Sequence, residues 1–278
     1  MPRPDSPHVH PTAIVSSEAR LAEDVAVGPF ALIDGPVVVG AGSVIGPHVH
    51  LIGPLTLGTG NRLHTGCVFG DEPQHLAYKG EPTNVHIGNG NTFREGVTVH
   101  RGMPVGAGPG TGTTVIGNNN LFMVNSHVAH DCRVGNHSVF ANGAVIGGHA
   151  QIADRVLLSG NTAVHQFCQV GTLALLGGTA AISQDLPPFW IIQGGINVVH
   201  GINVIGMRRA GFPAAEIQAV RHAYKLLNRS GMTVPSAIEV LEAEYGTMPA
   251  IRTLIAFIHG AKRGITLARG KADFENEV

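Results

Sequence analysis

The sequence predicts an all-β solenoid, a parallel β-helix of hexapeptide repeats, over residues 1–190, followed by a connecting segment and an α-helical C-terminal domain within residues 191–278. Through most of the first part an aliphatic residue recurs at every sixth position. The chain holds 38 glycines, whereas aromatic residues make up only 5% of it and charged residues 13%. After Pro187-Pro188 the spacing of apolar residues becomes that of helices.

The sixfold repeat is the strongest of these observations. Its positions are Val15, Leu21, Val27, Ile33, Val39, Ile45, Leu51, Leu57, Leu63 and Phe69, then Ile87, Phe93 and Val99, and then, in a shifted register, Ile116, Phe122, Val128, Val134, Phe140, Ile146, Ile152, Leu158, Val164, Val170, Leu176 and Ile182. A second inward series lies two residues earlier, is interrupted by Asn61 and resumes at Cys67. The repeat lapses near residues 71–84 and 101–113, which we expect to be two loops.

A period of six excludes the simpler secondary structures. An α-helix requires a period of about 3.6 residues and a plain strand a period of about two. In hexapeptide-repeat proteins three hexads form one triangular coil and the coil winds left-handed. We therefore expect a left-handed parallel β-helix in which residues about 18 apart in sequence are neighbours in space.

The C-terminal part predicts three helices. From Pro213 to Gly231 the residues Ile217, Val220, Tyr224 and Leu227 have helical spacing, with proline at the start and glycine at the end. Two further helices are expected over about 235–245 and 249–262.

Composition and charge exclude several classes of protein. The net charge of −1 argues against nucleic-acid binding, although the Lys and Arg residues concentrated in 191–278 would suit an acidic protein partner. The sequence has no apolar run of about 18 residues and no signal-peptide core at its start, so we expect a cytoplasmic protein without membrane insertion. Three cysteines without paired spacing indicate small buried side chains rather than disulfides or metal ligands.

Histidines in the second repeat block are candidates for chemistry. With a coil of about 18 residues, His127, His130, His149 and His165-Gln166 stack along one edge. His130 followed by Asp131 has the residue types of a general base and the carboxylate that orients it. Backbone N–H groups at Gly147-Gly148, one coil further, are placed to stabilise an oxyanion.

Two other interpretations of these histidines stay open. They could be corner residues that only hydrogen-bond neighbouring turns. They could also bind zinc, as three histidines do in trimeric β-helix carbonic anhydrases, although the His-x-x-His spacing with Asp131 differs from the arrangement expected there.

Eight strings, in this order and spacing, carry a more specific resemblance. They are His10-Pro-Thr-Ala-Ile-Val15, Gly80-Glu-Pro-Thr83, Arg94-Glu95, Val97-Thr-Val-His-Arg-Gly102, His127-Val-Ala-His-Asp-Cys132, Thr162-Ala-Val-His-Gln-Phe-Cys168, Gln184-Asp-Leu-Pro-Pro188 and Asn203 through Arg209-Ala-Gly-Phe212. With Ala223-Tyr-Lys-Leu226, they resemble the acyl-ACP–UDP-N-acetylglucosamine O-acyltransferases, which begin lipid A synthesis, over nearly the whole chain.

The resemblance implies a cofactor-free, metal-free acyltransferase. It implies a homotrimer, with active sites between subunits, that moves a 3-hydroxyacyl chain from acyl carrier protein to the 3-hydroxyl of the nucleotide sugar. It further implies residue roles: His130 as base, Asp131 as its partner, Gly148 as oxyanion donor, Gln74, His127, His149, His165 and Gln166 lining the substrate groove, Gly178 setting acyl length, and Asn203 and Arg209 holding the nucleotide end. The basic C-terminal part would meet the acidic carrier protein.

Four positions depart from the family pattern. His75 and Ala77 stand where the family has a sugar-contacting carboxylate and a lysine, although Lys79 lies only two positions on. Ile205 and Ala210 replace an acid and an arginine. These changes leave open a different sugar or amino-sugar acceptor, or a binding trimer without catalysis.

Overall fold

The structure, a computed structural model, describes residues 8–106 and 108–268; the predicted end of the helical domain, 269–278, and the start of the chain lie outside this range. The strands are β1 His8–Val9, β2 Ile14–Val15, β3 Arg20–Leu21, β4 Ala26–Val27, β5 Leu32–Asp34, β6 Val37–Val39, β7 Val44–Ile45, β8 His50–Ile52, β9 Leu55–Leu57, β10 Arg62–Leu63, β11 Val68–Asp71, β12 Asn84–Ile87, β13 Thr92–Phe93, β14 Thr98–His100, β15 Thr113–Ile116, β16 Leu121–Phe122, β17 His127–Val128, β18 Arg133–Val134, β19 Val139–Phe140, β20 Val145–Ile146, β21 Gln151–Ile152, β22 Leu157–Leu158, β23 Ala163–Val164, β24 Gln169–Val170, β25 Leu175–Leu176, β26 Ala181–Ile182, β27 Trp190–Ile192 and β28 Val199–Ile202.

Strands β1 to β26 wind as a parallel β-helix with three faces. Within this range each strand pairs with the strand on the same face of the next coil, three strands further along the chain. The three faces are sheets of 11, 9 and 8 strands, and the 11 strands of the first sheet include β27 and β28. The pairing is parallel and in register, as for His127 with Val145 and Val145 with Ala163. The predicted fold class, a left-handed parallel β-helix with C-terminal helices, is confirmed.

Side chains at the sixfold positions form the core. All of them are buried except Val15 and Leu21 near the start, which are half-buried. Phe93, Phe122 and Phe140 form one column of stacked rings, with centroids 4.8 and 4.5 Å apart. Similar side chains at the same position of successive coils therefore pack on one another, which accounts for the regularity of the repeat.

Asn61 is not the interruption of the inward series that the sequence suggested. It is fully buried and belongs to an internal ladder of Ser43, Asn61, Asn91, Asn120 and Ser138. Each amide oxygen accepts the backbone N–H of the next member, at 2.8 to 2.9 Å along the asparagines. Because these polar groups satisfy one another, they can occupy the core at little cost.

Two segments interrupt the regular coils and bring loops to one side. Between successive ladder members the sequence separation is 18 for Ser43 and Asn61 but 30 for Asn61 and Asn91 and 29 for Asn91 and Asn120. Loop 1 (72–83) joins β11 to β12, and loop 2 (101–112) joins β14 to β15. Arg101 anchors the base of loop 1 by donating to the carbonyl oxygens of Gly70 at 2.6 Å and Gly53 at 3.2 Å.

The C-terminal part begins with a feature that the sequence did not predict, the antiparallel hairpin of β27 and β28. Within the described residues up to 268, four helices follow, α1 Val204–Arg209, α2 Ala214–Arg229, α3 Val234–Tyr245 and α4 Pro249–Gly260. Helix α2 buries the side chains of Ile217, Val220, Tyr224 and Leu227, as their spacing predicts. None of the helices within the described residues is long and apolar enough to span a membrane.

Candidate active site

The coil register places the candidate residues at one corner of the solenoid. Asp131, His149 and Phe167 share a position in successive turns, each with a positive φ near 60°. The N–H of His149 donates to the carbonyl oxygen of His130, and that of Phe167 to Gly148. The position before them is held by His130, Gly148 and Gln166, so these three residues stack as the predicted coil length requires.

His130 and Asp131 form the centre of the site. The Nδ1 atom of His130 lies 2.8 Å from Oδ2 of Asp131, and the residues are only 8% and 3% exposed. Because a carboxylate accepts hydrogen bonds, Nδ1 carries the proton and Nε2 of a neutral ring keeps its lone pair. That is the protonation state of a general base.

The Asp131 carboxylate is held by loop 2 as well. It accepts the backbone N–H of Met103 at 2.9 Å and both the N–H and the hydroxyl of Thr111 at 2.7 and 2.8 Å. Burial alone would raise the pKa of Asp131, but the hydrogen bonds from His130, Met103 and Thr111 outweigh burial and lower the pKa to about 2. Asp131 is therefore an anion under all ordinary conditions. No sequence motif indicated the Met103 and Thr111 contacts.

Gly148 faces the ring of His130 directly. A Cβ atom added at Gly148 would lie 2.6 to 2.7 Å from Cε1 and Nε2 of His130, so only glycine fits there. The sequence suggested the N–H groups of both Gly147 and Gly148 as oxyanion donors. That of Gly147 is used, since it donates to the carbonyl oxygen of Val164 at 2.9 Å, whereas that of Gly148 donates to none of the described residues.

An open groove of about 440 Å³ runs along this corner. Its lining residues are Gln74, His75, His100, His127, Ala129, His130, Val145, Ile146, Gly147, Gly148, Val164, His165 and Gln166. His149 lies beside the groove rather than in its lining, stacked on Phe167 with centroids 4.5 Å apart and with Nε2 3.7 Å from Oδ2 of Asp131. The structure thus brings together most of the predicted substrate residues.

His100 lines the groove although sequence reasoning did not single it out. Its ring packs edge-on against His127, with centroids 4.7 Å apart, and its buried Nδ1 has no partner among the described residues. The observation that could have identified His100 is the pairing of β14 with β17. This pairing aligns Thr98 with His127, and His100 therefore lies at the same corner. That pairing depends on the length of loop 2, which the repeat alone did not fix.

Burial lowers the pKa of three other histidines of the site, His100, His127 and His149, and so favours their neutral forms. Burial, followed by the neighbouring His100 and His130, lowers the pKa of His127 to about 4, and its Nδ1 lies 2.7 Å from the Thr98 hydroxyl oxygen. Burial also lowers the pKa of His100 and of His149. Neutral imidazoles can bind hydroxyl and carbonyl groups without placing extra positive charge beside His130.

Three of the residues predicted to bind substrate lie outside the lining of this groove. Gly178 occupies the same turn position as Gly148 at another corner, and a Cβ atom there would find no described heavy atom closer than 3.8 Å. Asn203 caps α1, accepting the N–H of Gly206 and donating to the carbonyl oxygen of Leu173, both at 2.8 Å. Arg209 is exposed at the end of α1. The roles of these residues stay predictions.

His130, Asp131 and His149 also have donors that could hold a metal ion. One ligand atom from each lies within 4.8 Å of the others. The Asp131 oxygen that would face the metal is the one that His130 Nδ1 approaches to 2.8 Å. A metal ion at this cluster would therefore replace the hydrogen bond that orients the base.

Fold and site together are those of a hexapeptide-repeat acyltransferase. A family model described as bacterial transferase hexapeptide matches residues 113–148, and one described as UDP N-acetylglucosamine O-acyltransferase, domain 2, matches 185–266. The acyl-[acyl-carrier-protein]–UDP-N-acetylglucosamine O-acyltransferase of Halorhodospira halophila is 42% identical over 92% of this chain and 98% of its own length. That of Anaeromyxobacter dehalogenans strain 2CP-1 is 42% identical over 93% and 99%. The chain belongs to the acyl-ACP–UDP-N-acetylglucosamine O-acyltransferase family.

Solved structures agree with this assignment. The UDP-N-acetylglucosamine acyltransferase of Francisella novicida superposes with a TM-score of 0.90 at 32% identity, covering 95% of each chain. The O-acyltransferase of Moraxella catarrhalis gives a TM-score of 0.88 at 37% identity, covering 92% of this chain and 98% of its own.

Proposed function

We propose that this protein transfers a 3-hydroxyacyl chain from acyl carrier protein to the 3-hydroxyl of UDP-N-acetylglucosamine, the first step of lipid A biosynthesis, and does so in the cytoplasm. The names of its relatives supply the two substrates. The observation that carries the chemistry is the buried pair of His130 and Asp131, 2.8 Å apart, beside an open groove.

His130 acts as the general base that activates the sugar hydroxyl, the nucleophile. Its Nε2 removes the proton from the sugar hydroxyl as the oxygen attacks the thioester carbonyl carbon. Asp131 stabilises the resulting imidazolium because it remains an anion with a pKa of about 2. The same carboxylate holds the ring in the orientation that points Nε2 at the groove.

The tetrahedral intermediate needs a donor for its negative oxygen. The N–H of Gly148 fits this role, since it has no partner among the described residues and its Cα faces the His130 ring. Collapse of the intermediate breaks the carbon–sulfur bond, the thiolate of the carrier takes the proton from His130, and the ester product remains in the groove.

Substrate binding completes the proposal. Gln74, His127, His165 and Gln166 line the groove, and His149 supports Asp131 from one side. In a homotrimer with sites between subunits, Gly178 would limit the acyl chain, and Asn203 and Arg209 would hold the nucleotide end, Arg209 through phosphate.

A mass-spectrometric assay tests this function. Purified protein is incubated with 3-hydroxyacyl carrier-protein thioesters and a panel of sugar nucleotides, including the 3-amino analogue. We expect acylated UDP-N-acetylglucosamine from the native protein, and from His130→Ala no product but unchanged ligand binding. Absence of product from every acceptor, with UDP sugars not bound, would favour the alternative of a binding trimer without catalysis.

The cluster of His130, Asp131 and His149 is the observation by which a zinc hydratase, the third candidate after the binding trimer, can be tested. Elemental analysis of the purified protein separates the two. Stoichiometric zinc that His149→Ala removes would support the hydratase, whereas acyl transfer that persists in a strong chelator supports our proposal.

A further inference from the structure

Asp185 is a buried carboxylate outside the groove that joins the solenoid to the C-terminal segment, residues 261–268. The residue has no exposed surface. Its Oδ1 atom accepts the backbone N–H of Gln169 at 2.7 Å, and its Oδ2 atom accepts the backbone N–H groups of Lys262 at 2.9 Å and Arg263 at 3.3 Å. Burial of a carboxylate is costly unless hydrogen bonds satisfy it, so these three donors are required together.

The backbone of the C-terminal segment continues the third face of the solenoid. Strand β24 is the end strand of the 8-stranded sheet. Leu186 bridges Val170 of β24, and Ile265 bridges Asp185, both in parallel. The carbonyl oxygen of Asp185 also accepts the backbone N–H of Thr266 at 2.8 Å. The C-terminal segment thus covers the open edge of this sheet, and Asp185 is the residue through which it is attached.

The solenoid end of this connection lies next to the groove. Gln169 follows Gln166, which lines the groove, by three positions. Between them Phe167 stacks on His149, with centroids 4.5 Å apart. A displacement of Gln169 would therefore reach the wall of the groove through this turn.

The other end of the connection is the helical part of the chain, whose exposed surface is basic. Arg221, Lys225 and Arg229 lie at every fourth position of α2 and are exposed, and none of them forms an ion pair with an acidic side chain of the described residues. The C-terminal segment is tied to α2 as well, since the N–H of Ala268 donates to Oδ1 of Asn228 at 2.6 Å. A basic surface suits an acidic protein partner, and the C-terminal segment fixes its position relative to the groove.

We propose that Asp185 is a positioning residue for the acyl donor. It holds the helical part, where the carrier protein docks, at a fixed place relative to the groove, where the thioester reacts. A donor bound at two points gains from a rigid connection, because binding at the first point raises the local concentration at the second. A thioester without the carrier protein binds at the groove alone and gains nothing from it. The inference rests on the proposed acyl transfer and concerns its donor side.

Lys262 allows the connection to be weakened without a change in the solenoid. Lys262→Pro removes the N–H that donates to Asp185, and the preceding residue, Ala261, already has the extended conformation that a following proline requires, with φ −67° and ψ 123°. Lys262→Ala removes the same exposed charge and keeps the N–H, so it is the matched control. We measure kcat/KM with the acyl carrier-protein thioester and with the corresponding acyl-pantetheine, whose inhibition constant replaces kcat/KM if its turnover is too slow.

The two donors should respond differently. We expect Lys262→Pro to lower kcat/KM for the carrier-protein thioester by about tenfold relative to Lys262→Ala, the size of one hydrogen bond to a charged group. The value for acyl-pantetheine should stay within about twofold, as for a surface substitution. Asp185→Ala, which removes all three bonds, should show a larger loss with the same preference between donors. A weaker fold alone would affect both donors alike.

A second control concerns the solenoid itself. Asp154 accepts the backbone N–H of Asn136 at 2.7 Å at another corner, so Asp154→Ala removes a similar bond far from the C-terminal segment and should leave the ratio between donors unchanged. Melting temperatures establish that each variant is folded. If Asp185→Ala does not fold, the comparison of Lys262→Pro with Lys262→Ala carries the test.

The outcomes separate the two proposals. An active native protein in which Lys262→Pro and Lys262→Ala behave alike, or in which Lys262→Pro affects both donors equally, overturns the role of Asp185 and leaves the acyltransferase intact. A native protein that transfers acyl groups from neither donor overturns the proposed function and this inference together.

Discussion

Thr111 donates two hydrogen bonds to one oxygen of Asp131, from its backbone N–H at 2.7 Å and from its hydroxyl at 2.8 Å. The orientation of the base therefore depends on loop 2, a segment inserted between two coils of the solenoid. Residues of that loop should influence the rate without touching the substrate.

Replacement of Thr111 by valine removes the hydroxyl donor and keeps the backbone one. We expect kcat to fall by about tenfold, since a hydrogen bond to a charged group contributes about 1.5–3 kcal/mol and Asp131 would turn more freely. The KM for both substrates should change little. Thr111→Ser, which keeps the hydroxyl, is the matched control, and equal kcat values in the two variants would contradict the positioning role.

Asp131→Asn tests the orientation of the base itself. The amide can donate to His130 Nδ1 and so favours the tautomer whose proton is on Nε2, the atom that must accept one. Since general-base catalysis contributes about 10²–10⁴-fold, we expect a loss of kcat in that range. Steady-state assays and binding of the sugar nucleotide measured by calorimetry check that the loss lies in kcat alone.

Gly148→Ala should abolish most activity. The added Cβ would lie 2.6 Å from the His130 ring, so the base must move. Gly160→Ala is the control at the equivalent turn position of another corner, where the added atom would meet the carbonyl oxygen of Asn142 at 3.6 Å, an ordinary contact. Equal loss in both variants, measured as kcat and as circular dichroism, would indicate a folding defect rather than a displaced base.

Gly178 provides the test of acyl-chain length. Because a Cβ there would find no described heavy atom closer than 3.8 Å, a larger side chain can be accommodated without disturbing the coil. We expect Gly178→Met to shift the preferred donor to a shorter chain by several carbons, read by mass spectrometry from a mixture of carrier-protein thioesters. An unchanged product distribution would place the limit on chain length elsewhere.

Stability should fall as the pH is lowered from about 6.5 toward 4. The pKa of His127 is about 4 in the folded protein and near 6.5 in an unfolded chain, so between these values the unfolded state binds more protons and gains in stability. The shift corresponds to at most about 3 kcal/mol. Urea titrations across this pH range should show a shallower dependence in His127→Asn, which keeps a group near Nδ1 that does not titrate.

The sequence predicted the solenoid because every coil presents the same apolar pattern, and it predicted the corner of the site because residues one coil apart must stack. Asn61 was misjudged because an inward polar residue is recognisable only by its partners in neighbouring coils, Asn91 and Ser43. His100, Met103 and Thr111 were missed for a related reason. Their positions depend on the path of the loops, which the hexapeptide repeat does not predict.

The short elements after the solenoid were missed for another reason. The hairpin of β27 and β28 and the helix α1 lack a long periodic pattern, and α1 depends on the Asn203 cap. The departures at His75 and Ala77 were visible in the sequence. What the sequence could not give was the contact of Ala77 with His75 Nδ1 that sets its tautomer.

The internal asparagine ladder has a consequence for how the chain finds its structure. Aliphatic rungs of similar size are interchangeable, so a growing solenoid could pair a coil with the wrong neighbour, most easily where a loop delays the arrival of the right one. Omitting Asn91 from the column would leave the amide oxygen of Asn61 and the backbone N–H of Asn120 buried without these hydrogen bonds, at about 1–3 kcal/mol each. The ladder spans both loop insertions, and a coil paired out of register there would lose these hydrogen bonds. The ladder therefore favours the register in which His100, His127 and His130 line one groove.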